Sequence, residues 1–233
     1  GVENINDINW ASPTDIVSTA KKIKSKDRIA IVYAVGSIDG ISSNGIISDK
    51  LVRTLKEVQD DESVKGVVLR VNSPGGSAFG SEQIWHAVEQ LKQTKPVAVS
   101  MGDYAASGGY YLSCGANRIF ANPATLTGSI GIFGLVPNAQ KLLSEKIGLS
   151  FDEVKTNKYG AFPTIERPMT NDEKQKMQTY INRGYDLFIK RCAQGRKMSV
   201  DQIKNIAEGR VWSGKDALKI GLIDELGDMQ KAT

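Results

Sequence analysis

Three short apolar runs rich in β-branched residues alternate along the chain with two longer stretches in which apolar residues recur every three or four positions. The runs are Arg28–Ala34, Gly66–Val71 and Pro96–Met101, each closed by turn-forming residues. Their length and composition predict buried strands. Between them, Ile47, Leu51, Leu55 and Val58 mark one helix face through Asp61, and Ile84, Val88 and Leu91 mark a second. Strand, helix, strand, helix, strand at this spacing predicts an α/β domain around a mainly parallel sheet with right-handed crossovers. Loops beyond the carboxyl ends of such strands gather at one edge, where ligands bind. The turns Asn72–Ser77 and Asp103–Gly109 are therefore expected side by side.

The flanking segments are less regular. Residues 1–27 read as a polar amino-terminal arm with a helix start at Ser12–Asp15, and residues 28–233 as a single domain without internal repeats or linkers. Beyond the third strand we expect a short helix to about Ser113, short strands at Arg118–Asn122 and Gly128–Gly134, a helix around Ala139–Ile147 and a strand at Phe151–Lys155. A loop with two prolines, Asn157–Met169, follows. Thr170-Asn-Asp-Glu173 is a capping box opening an amphipathic helix that carries Met177, Ile181, Tyr185, Phe188 and Ile189 to about Gly195. Ser199 and Ser213 cap two further helices, the second ending at Gly221.

Composition narrows the function classes. With 233 residues, 40% of them apolar, the chain can bury a sizeable core. A net charge of +4, spread without a basic block, argues against nucleic acid as a partner. Cys114 and Cys192 are too few for a metal knuckle or a disulfide framework and read as passive small residues. No metal or cofactor is expected. No apolar run approaches the ~18 residues of a membrane span, and the start at Gly1-Val-Glu-Asn4 reads as that of a processed or excised fragment.

The chemistry centres on Met101–Tyr111, where the third strand runs out and a helix begins at Ser107. A serine hydroxyl needs a base to take its proton, and acyl transfer needs amide donors around the developing oxyanion. The only histidine, His86, falls beside the buried stripe of its helix, and the Gly-x-Ser-x-Gly elbow is absent because the sequence reads Ala-Ala-Ser-Gly-Gly. A lysine can serve if burial lowers its pKa from ~10.4 toward ~7. Lys158, close to Tyr159, Phe162 and Pro163, is the candidate, and the alternative reading is a solvated loop lysine. In Asn72-Ser-Pro-Gly-Gly76 the glycines let the backbone approach a ligand and turn an amide outward. Gly76 and Gly108 are thus the natural oxyanion donors.

Four ordered stretches carry a resemblance: Val67–Ser77, Ser100–Tyr110, Ala121–Gly134, and Gly209–Ala217 with Gly221–Asp224. On them the chain, from about Arg28 to Gly227, resembles the signal peptide peptidase A family, also called protease IV, and within it the carboxy-terminal half of the long form. The resemblance implies a Clp protease/crotonase-like fold, with repeated β-β-α and βαβ units around the sheet and carboxy-terminal helices. It also implies a serine peptidase with a Ser/Lys dyad that degrades cleaved signal peptides and other apolar peptides. Ser107 falls on the family's nucleophile, and Gly76 and Gly108 fall on its oxyanion hole. Further implications are a homo-oligomer, a membrane-anchored parent and a site on the extracytoplasmic side of the bacterial inner membrane.

The lysine departs from the pattern. In the long form the amino-terminal half gives the lysine and the carboxy-terminal half the serine, yet Lys158 stands near where amino-terminal halves place theirs. Either Lys158 serves Ser107, or the base lies on another half or chain and this chain is a half-site. A crotonase-type acyl-coenzyme A enzyme is the third reading, disfavoured because no pair of catalytic carboxylates is evident and Ser107 would have no role.

Overall fold

The computed structural model describes residues 26–40 and 45–233; the helix start expected at Ser12–Asp15 lies outside them. Strands β1 (Arg28–Val35), β2 (Val64–Ser73) and β3 (Val97–Ala106) alternate with helices α1 (Ser48–Asp60) and α2 (Ala78–Lys92). All three strands pair in parallel, with Leu69 opposite Val32 and Val99. The sheet continues through β4 (Arg118–Ala121) to β7 (Glu225–Leu226), giving the order β1-β2-β3-β4-β7. This is the mainly parallel α/β arrangement expected from the alternation of apolar runs, and it agrees with the Clp/crotonase-like fold that the resemblance implies.

Packing follows the two periodicities. Val67, Leu69 and Val71 of β2 and Val97, Val99 and Met101 of β3 point into the core with Ile84, Val88 and Leu91 of α2. All are almost fully buried, which is where the hydrophobic effect contributes ~1.5–3 kcal/mol per large side chain. Leu51 and Leu55 of α1 join the same core.

Strand β3 runs five residues past its expected end at Met101, to Ala106, because its last turn finds a separate partner. Tyr104–Ala106 pair with β5 (Leu126–Gly128), and β5 pairs antiparallel with β6 (Val211–Ser213). This extension carries the chain to Ser107, the first residue beyond the strand. The short helix α3 (Gly108–Tyr111) follows at once.

Three expectations need correction. The run Gly128–Gly134 is no strand: ladder pairing stops at Gly128, and beyond it only Ser129 N to Arg210 O at 2.7 Å and Gly209 N to Ile130 O at 2.9 Å tie the backbone to residues 209–210. Phe151–Lys155 also forms no strand and lies exposed. The segment 139–147 winds chiefly as a π-helical turn, Leu142–Lys146. The capping boxes do form: α4 (Asn171–Arg196) is capped by Thr170 with Glu173, and α5 (Val200–Ile206) by Ser199 with Gln202. Ser213 caps α6 (Gly214–Lys219), and α7 (Met229–Ala232), not foreseen, packs over β2, β3 and β4.

Candidate active site

The turns after β2 and β3 meet at the carboxyl edge of the sheet. Ser73 lies opposite Ala105 in the ladder, and Gly75 is so close to the second turn that a Cβ there would stand 2.6 Å from Gly108 N and 2.8 Å from Ser107 Cβ. With φ at 100°, Gly75 meets a conformational as well as a spatial demand for glycine. Gly76 is fixed by a bridge to Ile38: Ile38 N donates to Gly75 O and Ser77 N donates to Ile38 O, each at 2.9 Å. A Cβ on Gly76 would stand 2.3 Å from Ile38 O.

Ser107 adopts φ 53° and ψ −120°, a backbone conformation costly for a side-chain-bearing residue. It is held there by Ser107 N donating to Gly128 O and Tyr111 N donating to Ser107 O, each at 2.9 Å. Among the described residues its half-buried hydroxyl has no hydrogen-bond partner. Neither Gly76 N nor Gly108 N donates to any acceptor among them.

A cavity of about 150 Å³ brings these groups together, lined by Gly76, Ser107 and Gly108 with Ser81, Tyr111 and Phe188. Gly131, Ile132 and Phe133 form its outer lip. A wider cleft of about 710 Å³ runs from Ser107 past Ser129 and Tyr185 to Glu208. Tyr111, Phe188 and Phe133 were legible in sequence only as apolar positions. The adjacency of Tyr111 to the Ser107 turn was the one signal in the sequence that it faces the site as well as the core.

Lys158 is placed differently from the reading that made it a buried amine. Its side chain is 71% exposed, and Nζ stands 2.7 Å from Asp172 Oδ2. Tyr159 donates to the same carboxylate, and its ring lies under the Lys158 ammonium at 5.5 Å. The hydrogen bond that Lys158 donates to Asp172, with the charge of that carboxylate, holds Lys158 above the ordinary lysine value. Tyr159 and Phe162 therefore do not exclude water from it. Lys158 lines neither the cavity nor the cleft at Ser107. His86 is exposed on α2, off the buried face, as its position in the stripe predicted.

Within the described residues no group of three or more His, Cys, Asp or Glu side chains converges as metal ligands. No described helix is long and apolar enough to cross a membrane.

Comparison with known proteins matches residues 89–233 to the model of peptidase family S49 and residues 15–126 to that of Clp protease. "Protease 4" of Haemophilus influenzae is 43% identical over 212 residues, covering 88% of this chain and 34% of the relative. "Serine protease SPPA, chloroplastic" of Arabidopsis thaliana is 38% identical, with 89% and 32% covered. A shorter relative from Enterococcus faecium, named for signal peptide peptidase SppA, is 33% identical, with 98% and 68% covered. The chain thus spans about a third of the length of the first two relatives.

Proposed function

The chain belongs to peptidase family S49, and from that premise we propose that it is a serine endopeptidase domain whose nucleophile is Ser107. Ser107 Oγ attacks the scissile carbonyl, the Gly76 and Gly108 amides receive the oxyanion, and an amine takes the serine proton and returns it to the leaving nitrogen. Water then hydrolyses the acyl-enzyme. The observation that carries this reading is the shared cavity: a hydroxyl at a strained turn, beside two amides, none of the three with a hydrogen-bond partner among the described residues. Its apolar lip and aromatic wall suit apolar peptides, and cleaved signal peptides at the extracytoplasmic membrane face are the proposed substrates. The domain, residues 28–233, is proposed to work as a homo-oligomer.

The amine is the base of a Ser/Lys dyad. Lys158 is the candidate within the chain, and it can act only once its pairing with Asp172 is broken and its ammonium desolvated. A second reading places the base on another half or chain. The solvated, paired state of Lys158 and its absence from the Ser107 cavity favour that half-site reading.

A serine-reactive acylating probe at mildly alkaline pH tests the assignment. Labelling of the wild type should vanish in Ser107→Ala while the fold, followed by circular dichroism, survives; labelling that persists overturns the nucleophile. Loss in Lys158→Ala identifies the local base. Retention there, or labelling that appears only when a lysine-bearing partner is added, identifies the half-site.

A further inference from the structure

Tyr111 closes the Ser107 cavity on the side away from the cleft, and it is held at both its ring and its hydroxyl. Its ring packs on Phe188 with centroids 4.5 Å apart. Its hydroxyl donates to Glu82 Oε2 at 2.5 Å. Glu82 is anchored in turn by Arg191, whose Nη2 stands 2.5 Å from Oε1 and whose guanidinium lies 3.8 Å over the Trp85 ring. A buried tyrosine hydroxyl needs such an acceptor, and Glu82 fixes where the ring stands.

Beyond the ring lies a second space, a groove of about 380 Å³ walled by Phe79, Tyr180 and Leu187. Tyr111, Ala78 and Ile132 border both spaces. Tyr111 is therefore a partition between a small compartment at the nucleophile and a larger apolar one behind it.

We propose that Tyr111 determines specificity by limiting the size of the substrate side chain that enters beside Ser107, and that Glu82 is the residue that positions it. This rests on the proposed peptidase function. A cavity of about 150 Å³ is the size that accepts a benzene-sized group, so a leucine or phenylalanine side chain fits and an indole does not. Ser81 also lines the cavity; its hydroxyl donates to Ser77 O at 2.7 Å, so toward a substrate side chain it can act only as an acceptor.

The test uses peptidyl diphenyl phosphonates, identical except for leucine or tryptophan at the residue next to the phosphorus, and reads second-order labelling rates of the full chain. Wild type should favour the leucine probe by ~10-fold or more, the scale on which hydrophobic pockets discriminate size. In Tyr111→Leu the ratio should fall to within ~3-fold, because the indole can reach the groove behind. Glu82→Ala, which leaves the ring on Phe188 but removes the acceptor for its hydroxyl, should lower the ratio in the same direction, and Glu82→Gln, which keeps an acceptor for the hydroxyl, should restore it. Should Tyr111→Leu not fold, the Glu82 pair carries the test. Labelling that depends on Ser107 but shows the same ratio in all folded variants overturns the partition alone. Labelling that persists in Ser107→Ala, or that is absent from wild type both alone and with a lysine-bearing partner, overturns the peptidase reading and the partition with it.

Discussion

At Ser107 a side-chain-bearing residue is kept at φ 53°, a conformation that costs on the order of 1–3 kcal/mol. The ladder on either side imposes it: β3 must end beside β5 while α3 starts immediately, and the turn between them has a single residue in which to change direction. The result is a half-buried hydroxyl, without a hydrogen-bond partner among the described residues, on a rigid support. Lys158 shows the opposite economy, an amine whose charge is favoured by its surroundings. Because Asp172 stabilises the ammonium, its removal lowers the lysine pKa. If Lys158 is the base, Asp172→Asn should therefore shift the rise of the labelling rate with pH toward lower pH, and an unmoved profile would exclude Lys158 from the step. The serine, its glycines and the lysine could all be named from sequence. The ion pair could not, since Lys158 and Asp172 meet only through the path of the loop between them.

Among the elements, α4 has the best-defined start. Glu173 accepts from Thr170 N at 2.8 Å and from both Arg167 terminal nitrogens at 2.8 Å, while Glu173 N donates to Thr170 Oγ1 at 3.2 Å. The Arg167 hydrogen bonds, then that from Thr170, lower its pKa from 4.5 to about 2. The folded value lies below the unfolded one, so this contribution to stability is present above about pH 4.5 and is lost as pH falls toward about 2. Thermal midpoints measured across that window should fall more steeply for wild type than for Glu173→Gln; parallel curves would show that the pair contributes nothing. The capping box was readable because its bonds are local. The strands expected at Gly128–Gly134 and Phe151–Lys155 were misread because an apolar run becomes a strand only where extended backbone lies along a neighbouring edge, and Gly128 and Ser129, at φ 78° and 49°, turn the chain away after two bonds to residues 209–210. Strands β6 and β7 were missed for the converse reason: they are two or three residues long and exist because β5 and β4 offer edges.

On the scale of the molecule, the segment after β5 leaves large apolar side chains in water, with Phe133, Leu135 and Val154 at least 84% exposed. Large apolar patches are what protein interfaces cover, and of these residues Phe133 lines the Ser107 cavity. The proposed homo-oligomer would cover it. Light scattering should give a mass that is a multiple of the protomer for wild type and a shift toward the protomer for Leu135→Asp with Val154→Asp. A monodisperse wild-type monomer would overturn the assembly. Covering this segment is also one way in which the surroundings of Lys158 could lose their water.

The sequence by itself determined the alternation of strands and helices, the caps of α4 and α5, and the glycines and serine of the two turns, because each rests on residues near one another in the chain. Tertiary structure decided the rest. It stacked Tyr111 on Phe188 and tied it to Glu82, and it brought Cys114 against Cys192, where burial pushes the Cys192 thiol well above its ordinary value. It also left Lys158 in water beside Asp172. These outcomes depend on which distant surfaces meet and how much water they exclude, and neither quantity is written in local spacing.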